Sequence, residues 1–154
     1  MKRQLMHTVK EMLKTKGRDV WSIAASQSVY QAIEYMAEKE VGALPVLDEE
    51  KRLAGIISER DYARKVILKN KSSRETSVSE IMTKAVVYVG EETSIDNCMS
   101  LVLQKKIRHL PVMDGDAPIA MITLGDLMKF IIKAQSMTID ELESYILDET
   151  GGSG

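Results

Sequence analysis

The sequence predicts an α/β (α+β) protein made of two pseudo-symmetric domains, each a small three-stranded sheet packed by helices. The first observation behind this is an internal duplication. SVYQAIEYMAEKEVGALPVLD, from Ser28, aligns with SIDNCMSLVLQKKIRHLPVMD, from Ser94, at an offset of 66. Ala32 falls on Cys98, Val41 on Ile107, and Leu44-Pro45-Val46 on Leu110-Pro111-Val112. Beyond the next turn, GIISERD from Gly55 pairs with AMITLGD from Ala120 at an offset of 65. One residue is lost between DEEKRLA and DGDAPIA, which both read as hairpin turns, where a change of length costs little. A repeated unit decides the architecture before local structure is considered.

The second observation is periodicity within each copy. Val29, Ala32, Ile33, Met36 and Ala37 lie on one helical face, and Ile95, Cys98, Met99, Val102 and Leu103 repeat that pattern. Ser28 and Ser94 stand at the N-cap positions. ALPVLD and LPVMD read as a strand, and LAGIIS and IAMIT as its hairpin partner. Upstream, VWSIA from Val20 and VVYV from Val86 read as strand one of each copy, with TVKEML from Thr8 and SVSEIM from Ser77 as opening helices. A last helix follows from Glu59 in one copy and Leu124 in the other. The order is helix, strand, helix, strand, strand, helix, twice. This divides the chain into domains 8–68 and 77–134, a polar linker at 69–76, and a C-terminal helix and disordered tail over 135–154. In that tail Thr138 and Glu141 form a capping-box pattern and GGSG reads as disordered.

Composition narrows the function. There are 154 residues, with 21 basic against 23 acidic side chains, a balance that disfavours nucleic acid as a partner. A single cysteine, Cys98, offers neither a disulfide nor a zinc-ligand cluster and suits a reducing cytoplasm. No stretch has the roughly 18 continuous apolar residues of a membrane span. The sequence contains no G-x-S-x-G elbow, P-loop or H-E-x-x-H, so a catalytic role has no support.

Two copies of a unit with an Ala-Leu-Pro-Val or His-Leu-Pro-Val strand and a Ser58-x-x-Asp61 or Thr123-x-x-Asp126 turn resemble tandem cystathionine-β-synthase (CBS) domains, also called a Bateman module. The resemblance runs from Val9 to Ile132. It implies two domains packed through their sheets about a pseudo-twofold axis, with two clefts at the junction that bind an adenine nucleotide such as AMP, ADP or ATP as a regulatory ligand. No obligatory cofactor, metal or catalytic residue is implied. In such proteins the aspartate takes the ribose hydroxyls, the preceding Ser or Thr contacts ribose or phosphate, apolar strand residues sandwich the base, and basic residues hold phosphate. Carried over, this nominates Ser58, Arg60 and Asp61 for one cleft. Thr123 and Asp126 are nominated for the other, with Arg108 and His109 for its phosphate, and this cleft ranks first. Trp21, Gly42 and Val87 are expected in the apolar walls.

The residues also have plainer readings. Ser58-x-x-Asp61 and Thr123-x-x-Asp126 suit a helix start, with a hydroxyl N-cap and an acid in the first turn. Cys98 and most of the ten methionines fit apolar core positions. The basic stretch from Arg60 to Arg74 reads as a solvated face and linker, because aromatic residues for base stacking are missing nearby. The expectation is a homodimeric regulatory module acting on a protein that the sequence does not identify. Its alternative is a ligand-free interaction module or a fragment of a larger regulated protein.

Overall fold

The computed structural model of the chain describes residues 7–136, in which the two copies form two separate hydrophobic cores. The Thr138–Glu141 capping pattern and the terminal tail lie outside the described residues. Helix α1 covers Val9–Lys16, β1 Ile23–Ala24, α2 Val29–Lys39, β2 Ala43–Leu47 and β3 Leu53–Ser58. Helix α3, Glu59–Tyr62, continues into a π-helical turn at Ala63–Ile67. In the second copy α4 is Val78–Ile81, α5 Ile95–Lys105, β4 His109–Asp114, β5 Ala117–Thr123, and α6 spans 124–136.

Local chemistry fixes the helix starts. The Ser28 hydroxyl accepts from Gln31 N at 3.1 Å and that of Ser94 from Asn97 N at 3.0 Å, as expected of N-caps. Thr8 with Glu11 and Ser77 with Glu80 close capping boxes on α1 and α4. Helices α2 and α5 end in the same way, on left-handed residues Glu40 (φ 57°) and Lys106 (φ 55°).

The two hairpins form in equivalent registers. Ala43 pairs with Ser58 and Pro45 with Ile56, while His109 pairs with Thr123 and Pro111 with Met121. Each carries a register shift at the same place, Val46/Leu47 and Val112/Met113. Strand one is shorter than the sequence suggested. It pairs parallel to β2 only at Ile23 and Ala24, and in the second copy it shrinks to one bridge, Val89 with Val112. That sheet therefore has two strands plus a bridge. Proline limits strand one in both copies: Pro45 and Pro111 stand just before the paired Val46 and Val112 and have no N–H to offer the residues ahead of it. The chain ahead of Val89 accordingly peels away from the sheet.

The packing does not follow the linear repeat. Val9, Met12 and Leu13 of α1 are buried in the core of the second copy, among Val89, Cys98, Val102, Leu110 and Leu127. Val78 and Ile81 of α4 are buried in the core of the first, among Ile23, Val29, Met36, Leu44 and Ile57. Two equivalent sets of backbone bonds fasten the exchange. Ile95 N donates to His7 O, Val9 N to Thr93 O and Lys10 N to Glu91 O, while Val29 N donates to Thr76 O, Val78 N to Gln27 O and Ser79 N to Ala25 O. The segment read as a linker is thus docked: Thr76 is buried, and Arg74 lies 3.8 Å from the centre of the Tyr30 ring.

After α4, Thr83 pairs antiparallel with Ile56, so this segment crosses β3 closely. A Cβ on Gly55 would stand 2.7 Å from Met82 Sδ and 2.8 Å from Thr83 O, which explains why glycine sits there.

Met12→Ala leaves a void in the second core, although Met12 belongs to the opening helix of the first copy. It should lower stability by about 2–4 kcal/mol in urea titrations. Hydrogen exchange should accelerate in α5 and β4 before α2, and the reverse order would contradict the exchanged packing.

Candidate functional site

A cleft of about 370 Å³ opens where the two copies meet. This lies within the range of about 300–1,000 Å³ usual for small-molecule sites. One wall comes from the first copy, Ile56, Ser58, Glu59, Arg60 and Asp61, with Gly42 at its edge. The other comes from the second, with Thr83, Ala85, Val86 and Val87 on the peeled strand and Lys106, Ile107, Arg108 and His109 at the turn into β4. The lining combines apolar side chains, Ala85, Val86, Val87 and Ile107, with three cations, Arg60, Lys106 and Arg108.

Asp61 anchors the floor. It is 8% exposed, and both carboxylate oxygens are engaged. Oδ2 accepts from Ser58 N at 2.9 Å and Ser58 Oγ at 3.1 Å. Oδ1 faces Lys65 Nζ at 3.1 Å and accepts from Thr83 Oγ1 at 3.4 Å. Lys65 also donates to Ile81 O at 2.9 Å, so the side chain of Lys65 ties Asp61 to α4. The capping reading of Ser58 and Asp61 is therefore correct as geometry, and it places the carboxylate at the cleft.

Strand register delivers the basic wall. Glu59 N donates to Gly42 O at 3.0 Å and Leu124 N to Arg108 O at 2.9 Å, so the residue before each hairpin holds the start of the next helix. His109 is half-buried, with Nε2 3.5 Å from where a Gly42 Cβ would lie. Desolvation, with help from the Arg108 and Arg60 charges, pushes the imidazole below its ordinary range, and Asp126 pulls it partly back.

The sequence-derived grouping of the clefts needs correction. Arg108 and His109 line the cleft of Ser58, Arg60 and Asp61, together with Gly42 and Val87. Thr123, Asp126 and Trp21 do not line it. Asp126 accepts from Thr123 N at 2.9 Å and faces Lys16 Nζ at 3.4 Å, and Lys39 Nζ sits 4.3 Å from the centre of the Trp21 ring. The physical reason is that the cleft joins the last strand and helix of the first copy to the strand-one and turn segments of the second. A linear alignment assigns both to one copy. Lys106 and Thr83 are new to the site. A cleft shared across the pseudo-twofold was the signal available for both.

The comparisons with known proteins agree with this architecture. The CBS domain profile matches residues 9–68 and 78–133. The chain belongs to the CBS-domain family. It is 34% identical over 148 residues to the mitochondrial CBS domain-containing protein CBSX3 of Arabidopsis thaliana, covering 90% of this chain and 71% of that one. It spans only 21–22% of three longer CBS proteins of the same plant. A putative signal-transduction protein with CBS domains from Burkholderia ambifaria superposes with a TM-score of 0.77 at 46% identity, over 82% of this chain and 94% of that one. The CBS domain pair of protein MJ0100, solved in complex with 5′-methylthioadenosine and S-adenosyl-L-methionine, superposes at 0.69 with 25% identity, over 81% of this chain and 95% of that one. The CBS pair is a regulatory module, and no helix among the described residues is long and apolar enough to cross a membrane.

His109 gives a direct check on the cleft electrostatics. Its proton should dissociate below the ordinary histidine range in an NMR titration; Arg108→Ala should raise the midpoint and Asp126→Asn lower it. Because the unfolded chain then binds the proton more readily, His109 adds stability above the unfolded-state value, lost as pH falls through the folded one.

Proposed function

We propose that the chain is a regulatory sensor that binds a phosphorylated adenine nucleoside, AMP, ADP or ATP, in the cleft between its two CBS domains. One observation carries this reading: the cleft brings the apolar side chains Ala85, Val86, Val87 and Ile107 together with Arg60, Lys106 and Arg108. The base packs on the first and phosphate meets the second, where arginine offers two donors to neighbouring oxygens. The ribose reaches Asp61 by displacing Thr83 from Oδ1, the longest of that carboxylate's contacts. Thr83 is also the residue paired with Ile56, so ligand exchange at Asp61 acts on the seam between the copies. The protein works by binding rather than catalysis, with the nucleotide as its regulatory ligand. A bound adenosyl ligand in MJ0100 supports the ligand class.

Calorimetric titration of ATP, ADP, AMP and S-adenosylmethionine tests the proposal. One of the three phosphates should bind saturably, and Arg108→Ala should weaken it about ten- to a hundredfold, the cost of a charge-assisted hydrogen bond. Silence from all four ligands favours a module that acts by protein contact alone. The full occupancy of both Asp61 oxygens is the observation on that side.

The same reading includes a homodimer that passes the signal to a regulated protein, in the cytoplasm. Leu103 on α5 and Met128 and Ile132 on α6 are large apolar side chains at least half exposed, and Ile67 and Leu68 stand at the corresponding end of the first copy. Such an apolar surface suits burial against a second copy. The double variant Leu103→Glu, Ile132→Glu should sediment as a monomer while the parent sediments as a dimer. An unchanged dimer would place the interface elsewhere.

A further inference from the structure

His109 lines the Asp61 cleft half-buried, yet no group among the described residues forms a hydrogen bond with either of its ring nitrogens. The ring reaches the first copy. Its Nε2 and Cε1 lie 3.5 and 3.6 Å from the point where a Cβ on Gly42 would stand, and Glu59 Oε1 lies 3.3 Å from the same point. The side chain missing at Gly42 thus leaves a gap in which the imidazole of one copy meets the start of α3 in the other. Pairing of His109 with Thr123 across the hairpin fixes the root of the ring.

The charges around this ring come from several elements. Lys106 and Arg108 stand on the turn into β4, and Glu59, Arg60 and Asp61 on α3. Asp61 faces Lys65, and Asp126 of α6 faces Lys16 of α1. The Arg108 and Arg60 charges oppose a proton on the imidazole, while Asp126 favours one. An empty cleft therefore keeps the ring neutral at neutral pH. A phosphate reverses that balance, because its negative charge beside Arg60 and Arg108 cancels the repulsion that keeps the proton off and leaves the attraction of Asp126 in place.

We infer that a phosphorylated nucleoside enters the Asp61 cleft together with a proton, taken up from solvent by His109. The inference rests on the nucleotide-binding reading above and adds pH as a second input at the same site. The proton completes the imidazolium, which donates to a phosphate oxygen, and the positive charge of the cleft rises by one. The sign of the coupling follows from linkage. Binding raises the midpoint of His109, so affinity grows as pH falls from the bound-state midpoint to the free one. Above both the ring is neutral with or without ligand, and below both it is charged, so uptake peaks between them. The ligand's own phosphate works the other way, since its second ionisation, near pH of about 6, supplies the dianion that the cations favour. Comparison with a variant that cannot titrate separates the two.

The test titrates AMP, ADP and ATP calorimetrically into the full chain near neutral pH, in two phosphate-free buffers of different ionisation enthalpy. It is repeated with His109→Gln, whose fold is checked by circular dichroism. The nucleotide that binds should take up a fraction of a proton in the parent, and in the variant that uptake should vanish or turn into release. Between about pH 6 and about pH 8 the parent's affinity should fall about three- to tenfold relative to the variant's, as a midpoint shift of up to about one unit allows. NMR titration gives a readout that needs no variant. The His109 midpoint should rise on saturation with the nucleotide and stay or fall with adenosine, which brings burial without phosphate. His7, the chain's other histidine, packed edge-on against Phe130, is the internal reference. Binding without proton uptake, uptake that survives His109→Gln, or an equal rise with adenosine overturns the proton coupling and leaves the sensor reading intact. Failure of all three phosphates to bind overturns both.

Discussion

The exchange of opening helices between the two copies is the constraint on which the rest depends. Helices of eight and four residues have little stability of their own, since a nucleus costs more than so few bonds return. They persist because Val9, Met12 and Leu13 fill one core and Val78 and Ile81 the other. Neither core is complete without a segment from the opposite copy, so the unit that folds is the pair. The same crossing carries Met82 and Thr83 over β3, which demands glycine at 55, and brings Ala85–Val87 to face Asp61. The cleft is therefore a by-product of how the core is closed.

Much of this was legible in the sequence. The duplication, the N-caps at Ser28 and Ser94 and most of each helix face are local or periodic signals that the structure keeps, although Ala37 and Leu103, the last members of the two predicted faces, are exposed. The exchange was not legible, because an apolar stripe on TVKEML states that a helix needs a partner and says nothing of which. The same blindness grouped Arg108 and His109 with Asp126, whereas both line the cleft that holds Asp61. Alignment compares residues that are equivalent, whereas a site gathers residues that are adjacent, and in a pseudo-twofold structure these differ. Strand one was overread for a different reason: VVYV has strand propensity, but Pro111 opposite it lacks the donor that would extend the pairing.

Electrostatics explains how one backbone plan yields two environments. The equivalent frame, set by bonds from Glu59 N to Gly42 O and from Leu124 N to Arg108 O, fixes where side chains project without fixing what they are. Arg60, Lys106 and Arg108 are exposed and constrained by little packing, so their identities are open to change at small cost in stability. Asp61, by contrast, joins a helix cap, Lys65 and the seam at Thr83 in one carboxylate. Removing it disturbs fold and site together.

The left-handed conformation of Lys106 has a consequence for how this protein can evolve. A side chain at that φ costs about 1 kcal/mol, which glycine would avoid. Glycine would also delete one of the three cations facing the cleft. At position 106 selection for robustness and selection for recognition pull in opposite directions, so a thermally hardened relative with glycine there should have surrendered part of its grip on anions.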